Sequence, residues 1–113
     1  MSRLSSKLRK WADPATGREG LTYWCQGCES AHGICTKGPS AWGWNGDVER
    51  PVFTPSVLTT WEGGPPERRV KEVCHTFVGC NGAQPGEVIF LSDCTHALAG
   101  TVQPFPDLPD WMK

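Results

Sequence analysis

No apolar run in this chain approaches the roughly 20 residues that a membrane-spanning helix requires. The opening stretch "MSRLSSKLRKW" also lacks the apolar segment that follows the charges of a secretory leader. The expectation is a soluble, cytoplasmic protein with no membrane partner. A long basic block is missing too. Net charge is −1, and Lys and Arg gather only in "SRLSSKLRK" and "ERRVKE". Nucleic-acid binding rests on a wide cationic surface that neutralises phosphates, so it is not expected here. There is no internal repeat, no long helical periodicity and no Gly-x-Ser-x-Gly. The βαβ context of a thioredoxin-like Cys-x-x-Cys is absent as well.

What remains is short and turn-rich. A chain of 113 residues fits one domain, able to bury roughly two-thirds of its unfolded surface. Thirteen Gly and ten Pro favour short strands joined by turns over helices, and six Trp offer bulk for a small core. The fold class read from this is mainly β: a small zinc-stabilised domain of short antiparallel hairpins with little helix. Residues 1–20 read as a flexible arm docked through Trp11, with one or two helical turns in "SSKLRKWA". Residues 21–105 form the single zinc-binding β domain, and 106–113 an extended tail.

Within the domain, "LTYWC" and "HGICTK" read as a hairpin whose tip carries Cys25 and Cys28. "VLTTW", "VCHTFVGC", "EVIFLS" and "TVQPF" read as further strands, and "THALAG" as a single helical turn. Pro51 and Pro55 exclude a fully paired central strand between them.

Six cysteines in a reducing compartment point to metal or catalysis before disulfides. A structural zinc site wants four ligands in a tetrahedron, commonly with one Cys-x-x-Cys on a tight turn. "CQGC" supplies the pair, and Gly27 allows the bend. "VCH" and "DCTH" supply the rest. Adjacent residues on a strand point to opposite faces, so Cys74 and His75 cannot both face one ion. The leading ligand set is Cys25, Cys28, Cys74 and Cys94, with His32 and His96 as the nearest substitutes. Cys35 and Cys80 read as small buried apolar residues. The alternatives are reduced core cysteines or a disulfide framework.

If Cys74 faces the metal, His75 looks the other way and is available as a general base. The hydroxyls of "FTPSV", Thr54 and Ser56, are candidate nucleophiles, and Asp93 or Asp47 could orient the imidazole. A hydroxyl-to-imidazole contact near 3 Å favours catalysis, and a gap beyond about 6 Å favours a binder. Trp42 and Trp44 share one strand face, as core packing or as a binding platform.

At "YWCQGCESAH", "WGWNGDVERPVFTPSV", "CHTFVG" and "EVIFLSDCTHALAGTV" the chain resembles a family of small phage and prophage zinc-ribbon-like proteins. These commonly carry the label "ammonia monooxygenase", an activity of membrane-embedded copper enzymes that a chain without a span does not share. More distantly it is similar to peptidase-like proteins of bacterial ubiquitin-like conjugation operons. That resemblance implies metal binding at Cys25, Cys28 and Cys74, and chemistry at Ser56 and His75. The relatives place their histidine one residue further from the cysteine, whereas here Cys74 and His75 are adjacent. The reading that follows is a Ser56/His75 peptidase or hydrolase, with Asp93 orienting the base and a structural zinc. Its substrate would be a flexible peptide tail, such as that of a ubiquitin-like protein. The alternative is a non-enzymatic zinc-binding interaction protein, serving host takeover, anti-defence or a minor virion role. A zinc hydrolase built on Cys94 and His96 is the third option. Each reading implies a protein or peptide partner.

Overall fold

Period-two alternation in "LTYWC" and its return in "HGICTK" become a hairpin of β3 (Arg18–Cys25) and β4 (Ser30–Lys37), with Tyr23 opposite His32. The computed structural model describes residues 2–112; Met1 and Lys113, the outermost residues of the expected arm and tail, lie outside the described residues. The expected helical turns in "SSKLRKWA" are instead a bend at residues 5–7 that leads into a strand. β1 (Ser2–Arg3) and β2 (Arg9–Asp13) extend the sheet in the order β1-β2-β3-β4. Trp11 pairs with Gly20, where a Cβ would stand 2.4 Å from the indole, so this glycine is what lets the ring lie flat on β3. That face gives Trp11 more contact than a helical turn exposed to water could.

The second sheet runs β5-β6-β7-β8-β9, again antiparallel. Its strands are β5 (Gly43–Trp44), β6 (Phe53–Gly63), β7 (Val70–Val78), β8 (Glu87–Phe90) and β9 (Val102–Pro104). Helix is confined, among the described residues, to two three-residue 3-10 turns. "THALAG" forms a run of turns rather than a helical turn.

Both sheets turn one face to a common core. Leu8, Leu21, Tyr23 and Ile34 come from the first; Phe53, Val57, Val78, Val88 and Phe90 from the second; Phe105 closes the end. Tyr23 packs on Phe53 and Phe105 at ring separations of 5.5 and 5.6 Å. The core is therefore built on Phe and Tyr rather than on Trp. Trp42 and Trp44 lie partly buried against it, while Trp61 and Trp111 are exposed. The tail docks through buried Leu108 and Met112, and Lys7 Nζ meets Asp107 Oδ1 at 2.9 Å.

Candidate functional site

Antiparallel pairing of β6 with β7 sets Leu58 opposite His75 and Thr59 opposite Cys74. Side chains alternate across a sheet, so Cys74 goes to the core and His75 to the other face. Ser56, two residues before Leu58, belongs to the His75 face. Upstream the register slips between Phe53 and Val57: Thr54, Pro55 and Ser56 stand against Phe77 alone. The Thr54–Pro55 peptide is cis. Such a bulge bends its strand and re-aims a side chain. The Trp42 indole fixes the result from outside by donating to the Ser56 carbonyl at 3.1 Å.

The serine hydroxyl so placed lies 2.9 Å from His75 Nε2. On the far side of the imidazole, Nδ1 lies 3.1 Å from Asp93 Oδ2. Asp93 arrives there because β8 stops at Phe90. The chain then runs beside β7, with Leu91 N–H donating to His75 O (2.9 Å) and Thr95 N–H to Val73 O (2.9 Å). Between these anchors a tight turn, closed by Cys94 N–H donating to Leu91 O, lifts Asp93 over the ring. With Nδ1–H donating to the carboxylate, Nε2 is the acceptor for the serine hydroxyl, the tautomer that a general base requires. The His75 side chain is 25% exposed and Asp93 55%, so the three residues lie at the surface.

Other candidates fall elsewhere. Asp47 closes its own turn, its Oδ1 accepting from Glu49 N–H (2.8 Å) and Arg50 N–H (2.9 Å), and these bonds hold its carboxyl below the usual range. Thr54 is exposed, with Oγ1 turned toward Gly43.

Behind the triad, Cys25, Cys28, Cys74 and His96 bring one ligand atom each to within 4.8 Å of one another. Cys25 Sγ and Cys74 Sγ are 3.7 Å apart, and Cys28 N–H donates to Cys25 Sγ at 3.4 Å. All six cysteines are free thiols. Cys74 hydrogen-bonds the Cys25 sulfur and, with His32, favours its thiolate. Burial and that first negative charge push Cys28 up, and the bond it donates to Cys25 together with burial pushes Cys74 up. The cluster thus accepts one negative charge readily, and further thiolates call for a cation among them. His96 Nε2 is buried with no hydrogen-bond partner, and its ring lies where a Gly27 Cβ would come within 2.3 Å. An orphaned nitrogen facing three sulfurs suits a metal ion.

Cys94 is not one of the four, although it is buried in the same core. Its Sγ accepts from His75 N–H (3.2 Å) and its thiol donates to His75 O (3.3 Å). The turn at 91–94 breaks the strand alternation that would have aimed it at Cys25, Cys28 and Cys74, and His96, two residues on, takes that direction. His32 is buried beside Tyr23, at a ring separation of 5.9 Å. Cys35 is buried and Cys80 partly so, with their thiols on the carbonyls of Lys37 and Phe53. Sequence reasoning missed the Trp42 bond to Ser56 and the Cys94 clamp. The Trp in "AWGWNG" was visible, but nothing local indicates which carbonyl its indole reaches.

A family model described as bacterial ubiquitination-like system serine protease (BubE) matches residues 3–85, well over half of the chain. The matched span contains Cys25, Cys28, Ser56, Cys74 and His75, while Asp93 and His96 lie beyond it. No curated protein and no solved structure matches the chain.

Proposed function

The chain belongs to the bacterial ubiquitination-like system serine protease family, and on that premise we propose that it is a serine peptidase with Ser56 as nucleophile, His75 as general base and Asp93 as orienter. The observation that carries the proposal is the unbroken Asp93–His75–Ser56 relay at 3.1 and 2.9 Å. A serine hydroxyl is a weak nucleophile until a neighbouring base takes its proton. In the first step Ser56 Oγ attacks the scissile carbonyl carbon and its proton moves to His75 Nε2. Collapse of the tetrahedral adduct breaks the C–N bond, and the same proton passes to the leaving amine. Water then repeats the sequence on the acyl-enzyme, freeing the acid and restoring Ser56. Backbone N–H groups beside the serine stabilise the oxyanion; one such donor is worth about 3 kcal/mol in related chemistry. Asp93 keeps its charge and stabilises the imidazolium.

Cys25, Cys28, Cys74 and His96 would hold zinc, and three sulfurs with one nitrogen close the tetrahedron to water. The ion's part is then structural: it fixes β7 from the face opposite the imidazole. The proposed substrate is a flexible peptide tail, with that of a ubiquitin-like protein the first to test. The setting proposed is the cytoplasm, that of a host cell if the gene is carried by a phage.

Labelling with a phosphonate or fluorophosphonate probe, read by intact mass and peptide mapping, tests the assignment. One adduct on Ser56, lost in Ser56→Ala, is expected. Labelling that survives this substitution assigns the chemistry to another residue. An inert wild-type protein supports the non-enzymatic interaction reading.

A further inference from the structure

The strand that carries Ser56 has one side unpaired. β5 covers β6 only at Phe53 and Thr54, and among the described residues no strand pairs with the rest of that edge. Which backbone groups it offers follows from the ladder. His75 directs its N–H to Cys94 Sγ and its C=O to Leu91, and Val73 directs both groups to Thr95. His75 and Val73 therefore make non-hydrogen-bonded pairs with Leu58 and Thr60. In such pairs the β6 residues turn their N–H and C=O away from β7. The Ser56 carbonyl obeys the same parity, since Trp42 reaches it from that side. Leu58 and Thr60 thus present donor and acceptor at two-residue spacing, on an edge that begins beside the nucleophile.

Resting on the serine-peptidase reading, we propose that the substrate binds as an extended strand added to the free edge of β6 along Leu58–Glu62, with the scissile carbonyl delivered over Ser56 where the Trp42–Ser56 bond ends the edge. The segment that stays attached as the acyl group is the one that pairs, antiparallel to β6. Four residues of added strand span about 13 Å. Main-chain hydrogen bonds then give affinity without sequence choice, and alternate side chains give selectivity. On the serine face they meet Leu58, which is 54% exposed. On the other face they enter the mouth of a cavity of about 610 Å³ that Ser30, Thr59 and Trp61 share with Cys28, Cys74 and His96 of the thiol–imidazole cluster. A substrate must be unfolded at the site to do this, which selects tails and linkers and rejects folded surfaces. An apolar residue is preferred where Leu58 lies.

Thr60→Pro tests the idea, because proline on an edge strand removes an outward N–H while sparing the inward ladder. The substrate is the best-cleaved member of a library of unstructured fluorogenic octapeptides. The expected result is unchanged melting, unchanged fluorophosphonate labelling of Ser56, and kcat/KM for that octapeptide down by about tenfold or more, the equivalent of one or two lost hydrogen bonds. Cleavage by Thr60→Pro at the wild-type rate overturns the proposal. If the variant melts lower, a backbone N-methyl scan of the octapeptide on the wild-type protein decides. Losses at alternate acyl-side positions support strand addition; uniform losses, or none, reject it. Failure of wild-type Ser56 to label is a separate outcome, since it removes the serine-peptidase reading and the inference with it.

Discussion

Ser56 and His75 depend on each other at a separation of 2.9 Å, whereas Asp93 holds the ring from a position more than half exposed. The three residues should therefore contribute unequally. Ser56→Ala and His75→Ala are expected to lower kcat by about 10³-fold or more, because nucleophile and base act as one unit. Asp93→Asn should lose less, about 10²-fold, since water screens an exposed carboxylate and can partly replace it. Steady-state hydrolysis of one fluorogenic peptide by all three variants checks the ranking. An Asp93→Asn loss as deep as that of His75→Ala would mean the carboxylate does more than orient. Cys94 belongs at this scale too. Its sulfur holds the backbone of the base, so Cys94→Ala should reduce kcat with little change in KM and leave metal content unchanged. Loss of metal in that variant would put the sulfur back among the ligands.

Turns decide where the strands aim these groups. Gly27 lies beneath the His96 ring, where a methyl group would approach within 2.3 Å. Gly27→Ala should displace the imidazole and weaken metal binding at least tenfold, measured by competition with a chromogenic chelator. The turn at 45–50 reports on pH. Asp47 accepts two backbone N–H groups, and its carboxyl is held below the usual range by them. A folded-state pKa below the unfolded one contributes stability that is present above the unfolded carboxylate range and lost as pH falls through the lower folded value. Asp47→Ala should therefore unfold at lower urea than wild type near neutrality, with the gap closing in strong acid. A gap that is unchanged by acid would assign the effect to packing.

The whole molecule is two thin sheets around one aromatic core, and Cys25 and Cys74 of the thiol–imidazole cluster are part of that core. A core this small would gain greatly from an ion held by this cluster, which would tie β3, β7 and the segment after β8 together. Apparent binding energies of structural zinc, of order 10 kcal/mol, enter folding directly. Metal analysis should find about one ion per chain, and Cys28→Ser less. A strong chelator should lower the melting temperature and abolish Ser56 labelling together, because the strand that aims His75 is the one that carries Cys74. Chelated protein that melts and labels like the untreated protein would separate the cluster from the active site. Among the described residues no helix is long and apolar enough to cross a membrane.

Local chemistry alone determined the β class, the Cys25–Cys28 hairpin tip and the opposite facing of Cys74 and His75, because each follows from strand alternation or turn preference within a few residues. It also offered Ser56 beside Thr54 and Asp93 beside Asp47, with Ser56 and Asp93 as the leading pair. Their contacts with His75 depend on the three-against-one bulge and on the turn after β8, which local spacing does not show. His96 joins the thiols while Cys94 holds the His75 backbone, because the strand that would have kept them on one face stops at Phe90. The N-terminal strands were also hidden. "SSKLRKWA" carries a weak helical spacing in Leu8 and Trp11, and long-range pairing of residues 9–13 with β3, including Trp11 with Gly20, overrides it. Which edge of β6 stays open depends on how far β5 extends, a property of pairing between distant segments that no local pattern records.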